Sequence, residues 1–141
     1  NVNKSLIKDK SIILIDDSLV RGTTSVKIIK MLYEAGAKEI HLRIASPPIK
    51  YPDYYGVDTP DQNELLASKL DLEGMKKLVN ATTLKFLSLE GLYKSMGYEK
   101  RNSSYPQFTD HCFTGDYPVE PVDANNNKFE NQELSFMSTK S

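Results

Sequence analysis

Two adjacent acids and a glycine–threonine loop are the residues best suited to chemistry. Asp16 and Asp17 follow the apolar run Ile12-Ile13-Leu14-Ile15, and Arg21-Gly22-Thr23-Thr24-Ser25 begins a few residues later. Carboxylate oxygens bind sugar hydroxyls and, directly or through water, Mg²⁺. A glycine-containing loop that opens a helix offers free backbone N–H groups to a phosphate, and hydroxyl side chains add donors. The pattern therefore predicts a site for a sugar phosphate and a magnesium ion.

The predicted site takes in the acids, the loop and the start of the helix behind it. Paired acids before a helix can also cap that helix and complement its dipole, which is a simpler role. Capping requires neither a second acid nor a glycine–threonine loop, so the whole pattern favours ligand binding. The predicted substrate-binding residues are Asp16, Asp17, Ser18, Arg21, Gly22, Thr23, Thr24 and Ser25, and the predicted metal ligands are Asp16 and Asp17.

A strand, a helix and a second strand are predicted to position these residues. The run Ile12–Ile15 is typical of a strand covered on both faces in a parallel sheet. Apolar residues at helical spacing predict a helix from Thr24 to Ala35, and Gly36 stands where a helix-ending glycine is expected. Alternation from Ile40 to Ile44 predicts the second strand. In such a βαβ unit, ligands bind at the carboxyl ends of the strands.

Strands and helices are predicted to keep alternating as far as residue 98. The segment Thr59-Pro60-Asp61-Gln62 matches a capping box before a short helix. Asp71 and Ser88 are suited to cap two further helices, with a strand at Thr83–Leu87 between them. The predicted fold class is therefore α/β, with a mostly parallel sheet flanked by helices.

Composition excludes several classes of protein. A length of 141 residues fits one domain, and 18 Lys and Arg against 19 Asp and Glu leave no basic field for a nucleic acid or an anionic membrane. The single cysteine, Cys112, excludes an internal disulfide framework and every all-cysteine metal site. No apolar run is long enough to span a membrane, and a cytoplasmic location is expected. The opening Asn1-Val2-Asn3-Lys4 lacks Met, which predicts a fragment or a processed chain.

The stretch from Asp16 to Thr24 resembles the signature of enzymes that bind phosphoribosyl pyrophosphate. Further segments resemble amidophosphoribosyltransferases in order and spacing, over about residues 1 to 120. These segments are Ala45-Ser46-Pro47-Pro48, Tyr51-Pro52, Tyr55-Gly56-Val57-Asp58-Thr59-Pro60, Glu64-Leu65-Leu66-Ala67, Phe86-Leu87-Ser88-Leu89-Glu90-Gly91-Leu92 and Cys112-Phe113-Thr114-Gly115.

The resemblance implies a type I phosphoribosyltransferase-like fold, present as a partial domain. It implies that ammonia released from glutamine attacks phosphoribosyl pyrophosphate, giving phosphoribosylamine, pyrophosphate and glutamate in the first step of de novo purine synthesis. Asp16 and Asp17 match the ribose and Mg²⁺ acids, and the stretch from Arg21 to Ser25 matches the 5′-phosphate loop. Glutamine would be handled by an N-terminal domain with a terminal cysteine nucleophile, and the complete enzyme is expected to be a homo-oligomer.

Departures from the family pattern set further expectations. No catalytic residue is predicted in this chain, because the glutaminase cysteine, the pyrophosphate loop and most of the closing loop would precede residue 1. The chain alone is therefore expected to be inactive. In the subgroup with an iron–sulfur cluster a cysteine occurs where this chain has Asp53, and further cysteines precede Cys112, where Pro106 and Thr109 stand here. No iron–sulfur cluster is expected.

The resemblance also implies a division of the chain. Residues 1–98 would be the C-terminal portion of the phosphoribosyltransferase domain, and residues 99–141 a C-terminal extension. In that extension the apolar periodicity fades, and the polar composition after about Asp123 predicts a mobile tail.

Two alternative functions come from other classes. A phosphoryl-accepting receiver domain also has paired acids after its first strand, and Asp58 stands where its phosphoacceptor could lie, but Tyr54–Val57 is a poor buried strand. A receiver also has no use for a phosphate-binding loop. The second alternative is a ligand-sensing regulator built on the same fold, and neither a DNA-binding element nor a basic face supports it.

Other residues that could carry chemistry have simpler interpretations. His111 and Cys112 could be a base and a nucleophile, but sequence neighbours rarely face each other and no orienting residue is evident. His41 alternates with buried positions and is expected to face solvent or a neighbouring layer. Tyr51, Tyr54 and Tyr55 could stack on a base, but packing of the loop to the domain is favoured.

Overall fold

A computed structural model describes residues 3–119, and the predicted mobile tail after Asp123 lies outside them. The elements alternate along the chain much as the sequence predicts. They are α1 (Lys4–Ile7), β1 (Ser11–Asp16), α2 (Thr23–Glu34), β2 (Glu39–Ile44), a 3₁₀ turn (Gln62–Glu64), α3 (Leu66–Lys69), α4 (Leu72–Val79), β3 (Thr83–Phe86), α5 (Leu89–Ser95) and α6 (His111–Thr114).

The described strands form one parallel sheet in the order β1-β2-β3. Asp16 pairs with Ile44, and Ile44 in turn pairs with Phe86, so the three strands end at the same edge. The predicted α/β class with a parallel sheet and flanking helices is confirmed. The residues that follow each strand therefore begin at this edge of the sheet.

The core lies between one face of the sheet and helices α2 and α4. From the middle strand it takes Ile40, Leu42 and Ile44, none more than 3% exposed. Ile29 of α2 and Val79 of α4 are fully buried in the same cluster. Burying each such side chain contributes about 1.5–3 kcal/mol. The middle strand and helices α2 and α4 therefore hold β1 and the loop after it in place.

The outer face of β1 differs from the prediction. Ile13 and Ile15 are 67% and 72% exposed, whereas a strand covered on both faces was expected. The reason is that the core cluster packs against the face of β1 that carries Ile12 and Leu14, and no described core residue covers the opposite face. An unbroken apolar run is thus half solvent-facing within residues 3–119.

Most predicted helix ends are confirmed. Asp71 and Ser88 accept hydrogen bonds from the N–H groups of Gly74 and Gly91 at 2.7 and 2.9 Å. The capping box at Thr59 is wrong. Thr59 Oγ1 instead accepts a bond from the Asp53 N–H at 2.6 Å, so a tertiary contact takes the hydroxyl from the local cap.

Residues 99–119 are mostly irregular and contain a buried ion pair that a hydrogen bond from Tyr93 ties to α5. Asp110 is 4% exposed, and its carboxylate accepts two bonds from Arg101, at 2.6 and 3.1 Å, and one from the Tyr93 hydroxyl at 2.8 Å. The division at residue 98 stays a prediction. No helix in the described part of the chain is long and apolar enough to cross a membrane.

Candidate functional site

All eight predicted site residues line one open cleft of about 380 Å³ at the carboxyl end of β1. Asp58 and Pro60 approach it from the loop after β2, on the other side. The remaining lining residues are Leu19 and Val20. The structure thus brings together the whole predicted set, and the binding role of each residue stays a prediction.

The two acids sit where the strand becomes the loop. Asp16 is the last residue of β1, and its Oδ1 accepts a bond from the Asp17 N–H at 3.0 Å. Asp17 Oδ1 accepts a bond from the Ser18 hydroxyl at 3.2 Å. Among residues 3–119 neither Oδ2 atom accepts a hydrogen bond, so each carboxylate keeps an oxygen for a hydroxyl or a hard cation.

The N-terminus of α2 forms the opposite part of the cleft. Gly22 is the N-cap, with φ 77°, and it provides no side-chain cap. Its carbonyl accepts from the Val26 N–H at 2.9 Å, which closes the first turn. The N–H groups of Thr23, Thr24 and Ser25 precede that bond and have no partner within the helix. Free amides at the positive end of a helix dipole suit a phosphate.

The loop between the acids and the helix is held by contacts with the core. Leu19 is 1% exposed and belongs to the core cluster, and the Val20 carbonyl accepts a bond from the Leu66 N–H at 2.9 Å. A Cβ at Gly22 would lie 3.1 Å from Leu66 Cδ2. The cradle is therefore preformed, which reduces the ordering cost of binding.

Arg21 has a partner that the sequence analysis missed. Its Nη2 lies 3.2 Å from Glu64 Oε2, and both side chains are about half exposed. Exposed pairs of this kind contribute at most about 1 kcal/mol, so Arg21 can exchange Glu64 for a phosphate at little cost. Glu64 is 43 residues away from Arg21, and no local pattern could have indicated the pair.

Replacing Gly22 with Ala is expected to destabilise the protein by about 1–2 kcal/mol, because left-handed backbone is strained for any residue with a Cβ. Urea unfolding of the purified natural full-length protein measures it. Gly97→Ala is a matched control for positive φ, because a Cβ there meets nothing within 4 Å. The affinity for ribose 5-phosphate should fall in Gly22→Ala but not in Gly97→Ala. Equal affinity of the two variants would contradict a role for the Gly22 backbone in the site.

The tyrosines given a packing interpretation do pack within the domain, whereas His41, expected to face solvent or a neighbouring layer, contacts a strand of its own sheet. The His41 ring lies 2.9 Å from Thr83 Oγ1 on the neighbouring strand. Tyr54 and Tyr55 contact Tyr117, with ring centroids 5.5 and 6.4 Å apart. A Cβ at Gly115 would lie 2.9 Å from the Tyr51 ring. The tyrosines thus join the loop after β2 to the segment around α6.

One buried pair was missed by the sequence analysis. His111 Nε2 contacts Asp53 Oδ1, although 58 residues separate them, so an orienting acid does exist. Burial opposes ionisation of Asp53, but the N–H groups of Val57 and Tyr55, together with His111, outweigh it and lower the pKa of this carboxyl. Burial, and then the charge of Asp53, raise the pKa of the Cys112 thiol. A thiol that stays protonated is a poor nucleophile, as expected for this position.

The resemblance matches Pro106, Thr109 and Asp53 to positions where the cluster-bearing subgroup has cysteines. None of these side chains carries sulfur, and cluster ligation is by thiolates. The expected lack of a cluster stays a prediction.

Comparison with known proteins finds amidophosphoribosyltransferases as relatives of this chain. No protein-family profile matches the chain. The amidophosphoribosyltransferase of Rhizobium etli is 52% identical over 140 residues, covering 99% of this chain and 28% of that protein. Amidophosphoribosyltransferase 2, chloroplastic, of Arabidopsis thaliana is 47% identical over 120 residues, covering 85% and 20%. The chain thus spans about a quarter of the length of these relatives.

A solved structure shows the same relationship. The glutamine phosphoribosylpyrophosphate amidotransferase of Bacillus subtilis, complexed with ADP and GMP, matches 84% of this chain with a TM-score of 0.75 and 45% identity. The match takes in 26% of that structure's chain. The parallel sheet, with its acids and helix N-terminus at one edge, therefore has the type I phosphoribosyltransferase fold, as a partial domain. This chain is a homologue of the C-terminal part of amidophosphoribosyltransferases.

Proposed function

We propose that the cleft binds the ribose 5-phosphate part of phosphoribosyl pyrophosphate, with Mg²⁺, in an amidophosphoribosyltransferase. The reaction replaces pyrophosphate with glutamine-derived ammonia and gives phosphoribosylamine and glutamate. One observation carries the proposal. All eight predicted substrate-binding residues line a single cleft at the carboxyl end of β1.

Different groups of this chain bind the phosphate and the sugar of the proposed ligand. Thr23, Thr24 and Ser25 offer amides and hydroxyls to the 5′-phosphate, and Arg21 adds a cation from the cleft rim. Asp16 and Asp17 accept bonds from the ribose hydroxyls, which fixes the sugar ring relative to the phosphate. Such positioning matters because the sugar becomes cation-like while a polyanion departs.

The same two carboxylates fit a magnesium ion. Mg²⁺ prefers oxygen ligands and usually binds one or two carboxylates, the substrate's oxygens and water. Asp16 and Asp17 supply such oxygens beside the proposed sugar position, with Oδ2 of each available. When bound, the ion would neutralise charge on the leaving pyrophosphate.

The wider properties of the protein follow from the same proposal. Its ligands are phosphoribosyl pyrophosphate and, through a glutaminase domain, glutamine. A net charge of −1 favours neither nucleic acid nor membrane as a partner. A cytoplasmic homo-oligomer is the state we propose for the natural full-length protein.

The alternatives have less support. A receiver domain requires a strand that ends at the phosphoacceptor, yet residues 51–58 form no strand, and Asp58 lies in an irregular loop. A ligand-sensing regulator would keep the cleft but not the turnover, so an activity measurement distinguishes it.

The test compares the natural full-length protein with a polypeptide of residues 1–141. With ammonium, Mg²⁺ and phosphoribosyl pyrophosphate, the full-length protein is expected to release pyrophosphate and the shorter polypeptide is not. The shorter polypeptide lacks groups to hold the pyrophosphate and exclude water. Equal turnover by both would show that residues 1–141 suffice to hold the pyrophosphate and exclude water. No turnover by the full-length protein would overturn the proposed function.

A further inference from the structure

A second group of chemically active side chains shares no residue with the cleft. Asp53, His111 and Cys112 each offer one ligand atom, and these atoms all lie within 4.8 Å of one another. They supply an oxygen, a nitrogen and a sulfur, which are the donor types that bind zinc in proteins. The side chains of Asp53 and His111 are each only 6% exposed, unlike the solvated acids of a protein surface.

The His111 ring is only partly satisfied in this pocket. Nε2 contacts Asp53 Oδ1, whereas Nδ1 is buried and has no hydrogen-bond partner among residues 3–119. Buried ring nitrogens are normally hydrogen-bonded. In the bond to Asp53 the neutral ring carries its proton on Nε2. Because no described group interacts with Nδ1, the ring can carry its proton there instead and give the Nε2 lone pair to an ion.

The surroundings hold the carboxylate and the ring in place. Asp53 Oδ2 accepts bonds from the N–H groups of Tyr55 and Val57, at 3.0 and 2.8 Å. The Tyr117 ring stacks on His111 with centroids 5.0 Å apart, and the Tyr55 ring meets it edge-on at 5.1 Å. Groups that orient the ligands in this way are typical of the shell around a bound metal.

We propose that Asp53, His111 and Cys112 bind one divalent transition-metal ion, with zinc the best match to these ligands. Asp53 Oδ1, a His111 ring nitrogen and Cys112 Sγ would be the protein ligands, and water would complete a tetrahedral site. The ion takes the place of the hydrogen bond between Asp53 and His111. The Cys112 thiol loses its proton to solvent as the metal–sulfur bond forms.

The distances allow this arrangement. Metal–ligand bonds of about 2.0–2.3 Å place the ligand atoms of a tetrahedral site roughly 3.3–3.8 Å apart. Cys112 Sγ must therefore approach the other two ligand atoms, which rotation of the half-buried Cys112 side chain can supply. Asp53 Oδ1 and His111 Nε2 must move apart by roughly 1 Å to admit the ion. A bound ion would tie the loop of residues 51–57 to α6, and this role does not depend on the proposed activity of the cleft.

The test uses cobalt as a spectroscopic probe in the chelator-treated natural full-length protein. One equivalent of Co²⁺ is expected to give a thiolate-to-cobalt charge-transfer band, which Zn²⁺ removes by displacement. Cys112→Ser, which preserves the shape of the side chain, should abolish the band. His111→Gln and Asp53→Asn should weaken metal binding at least tenfold, since losing even an outer partner costs about 10–100-fold. His41→Gln, at the other histidine, is the matched control and should leave the titration unchanged.

Circular dichroism of each variant establishes that it is folded before titration. Absence of one-to-one cobalt binding in the wild-type protein would overturn the proposal, as would a band that survives Cys112→Ser. Iron and sulfide are measured in the same anaerobic preparation. Their presence in stoichiometric amounts would contradict both this site and the expected lack of a cluster. Because no measurement here relies on turnover, failure of this proposal is distinguishable from failure of the proposed function.

Discussion

Asp17→Asn is expected to lower turnover of phosphoribosyl pyrophosphate by the natural full-length protein roughly 10²–10³-fold, the usual cost of losing one preorganised electrostatic group. The amide keeps the shape of the side chain but loses its charge, and it binds hard cations poorly. The concentrations of substrate and Mg²⁺ needed for half-maximal rate should both rise. Initial rates of pyrophosphate release across a magnesium series measure these changes.

Asp9→Asn is the matched control for Asp17→Asn. Asp9 is exposed, lies outside the cleft and has φ 62°, a conformation that Asn adopts readily. Its rate and magnesium dependence should equal those of the wild-type protein. Unchanged dependence in Asp17→Asn would remove Asp17 from the site.

Asp110→Asn should produce the largest loss of stability, about 3 kcal/mol, because it leaves the Arg101 guanidinium without its buried partner. The Arg101 side chain is 17% exposed and that of Asp110 is 4% exposed, so solvent screens the pair weakly. Urea unfolding of the full-length protein measures the change, and amide hydrogen exchange locates it around α5 and α6. Asp116→Asn is the control, because Asp116 also pairs with Arg101 but is 52% exposed. It should cost less than about 1 kcal/mol, and equal losses for both variants would contradict the assigned importance of burial.

The pH dependence of stability provides a second test of the role of Asp110. Burial opposes ionisation of Asp110, but bonds from Arg101 and Tyr93 outweigh it and lower the pKa of this carboxyl. A carboxyl with a lowered folded-state pKa stabilises the protein above its unfolded pKa, and that stability is lost as the pH falls through the folded pKa. The Asn variant should lack this part of the acid dependence. An identical acid slope in the variant would show that Asp110 does not contribute it.

Local sequence patterns were sufficient to predict which residues come together around the cleft. The run from Ile12 to Ser25 contains a strand, a tight loop and a helix start, so nearly all of the cleft comes from one continuous segment. Its shape follows from short-range rules for strand ends and helix N-termini. Asp58 and Pro60 were the exceptions. They reach the cleft from an irregular loop whose path no periodicity indicates.

Contacts set by the tertiary structure could not be predicted from these local patterns. The capping box at Thr59 failed because Asp53 donates to the threonine hydroxyl, a contact set by the loop's tertiary path. The bond between Asp53 and His111 joins residues 58 positions apart. The exposed face of β1 depends on which elements pack against each side of the sheet, and an apolar run does not encode that. In each case a tertiary arrangement decided the outcome.

Threonine-methyl NMR tests the central claim most directly, because Thr23 and Thr24 form the proposed phosphate site. In the full-length protein with labelled threonine methyl groups, ribose 5-phosphate and Mg²⁺ are added stepwise. Saturable shifts of the Thr23 and Thr24 methyl signals are expected, with Thr83, at the start of β3 and outside the cleft, as an unshifted reference. Asp17→Asn should move saturation to higher concentration. Methyl signals of Thr23 and Thr24 that stay unchanged while the same protein turns over phosphoribosyl pyrophosphate would contradict the account.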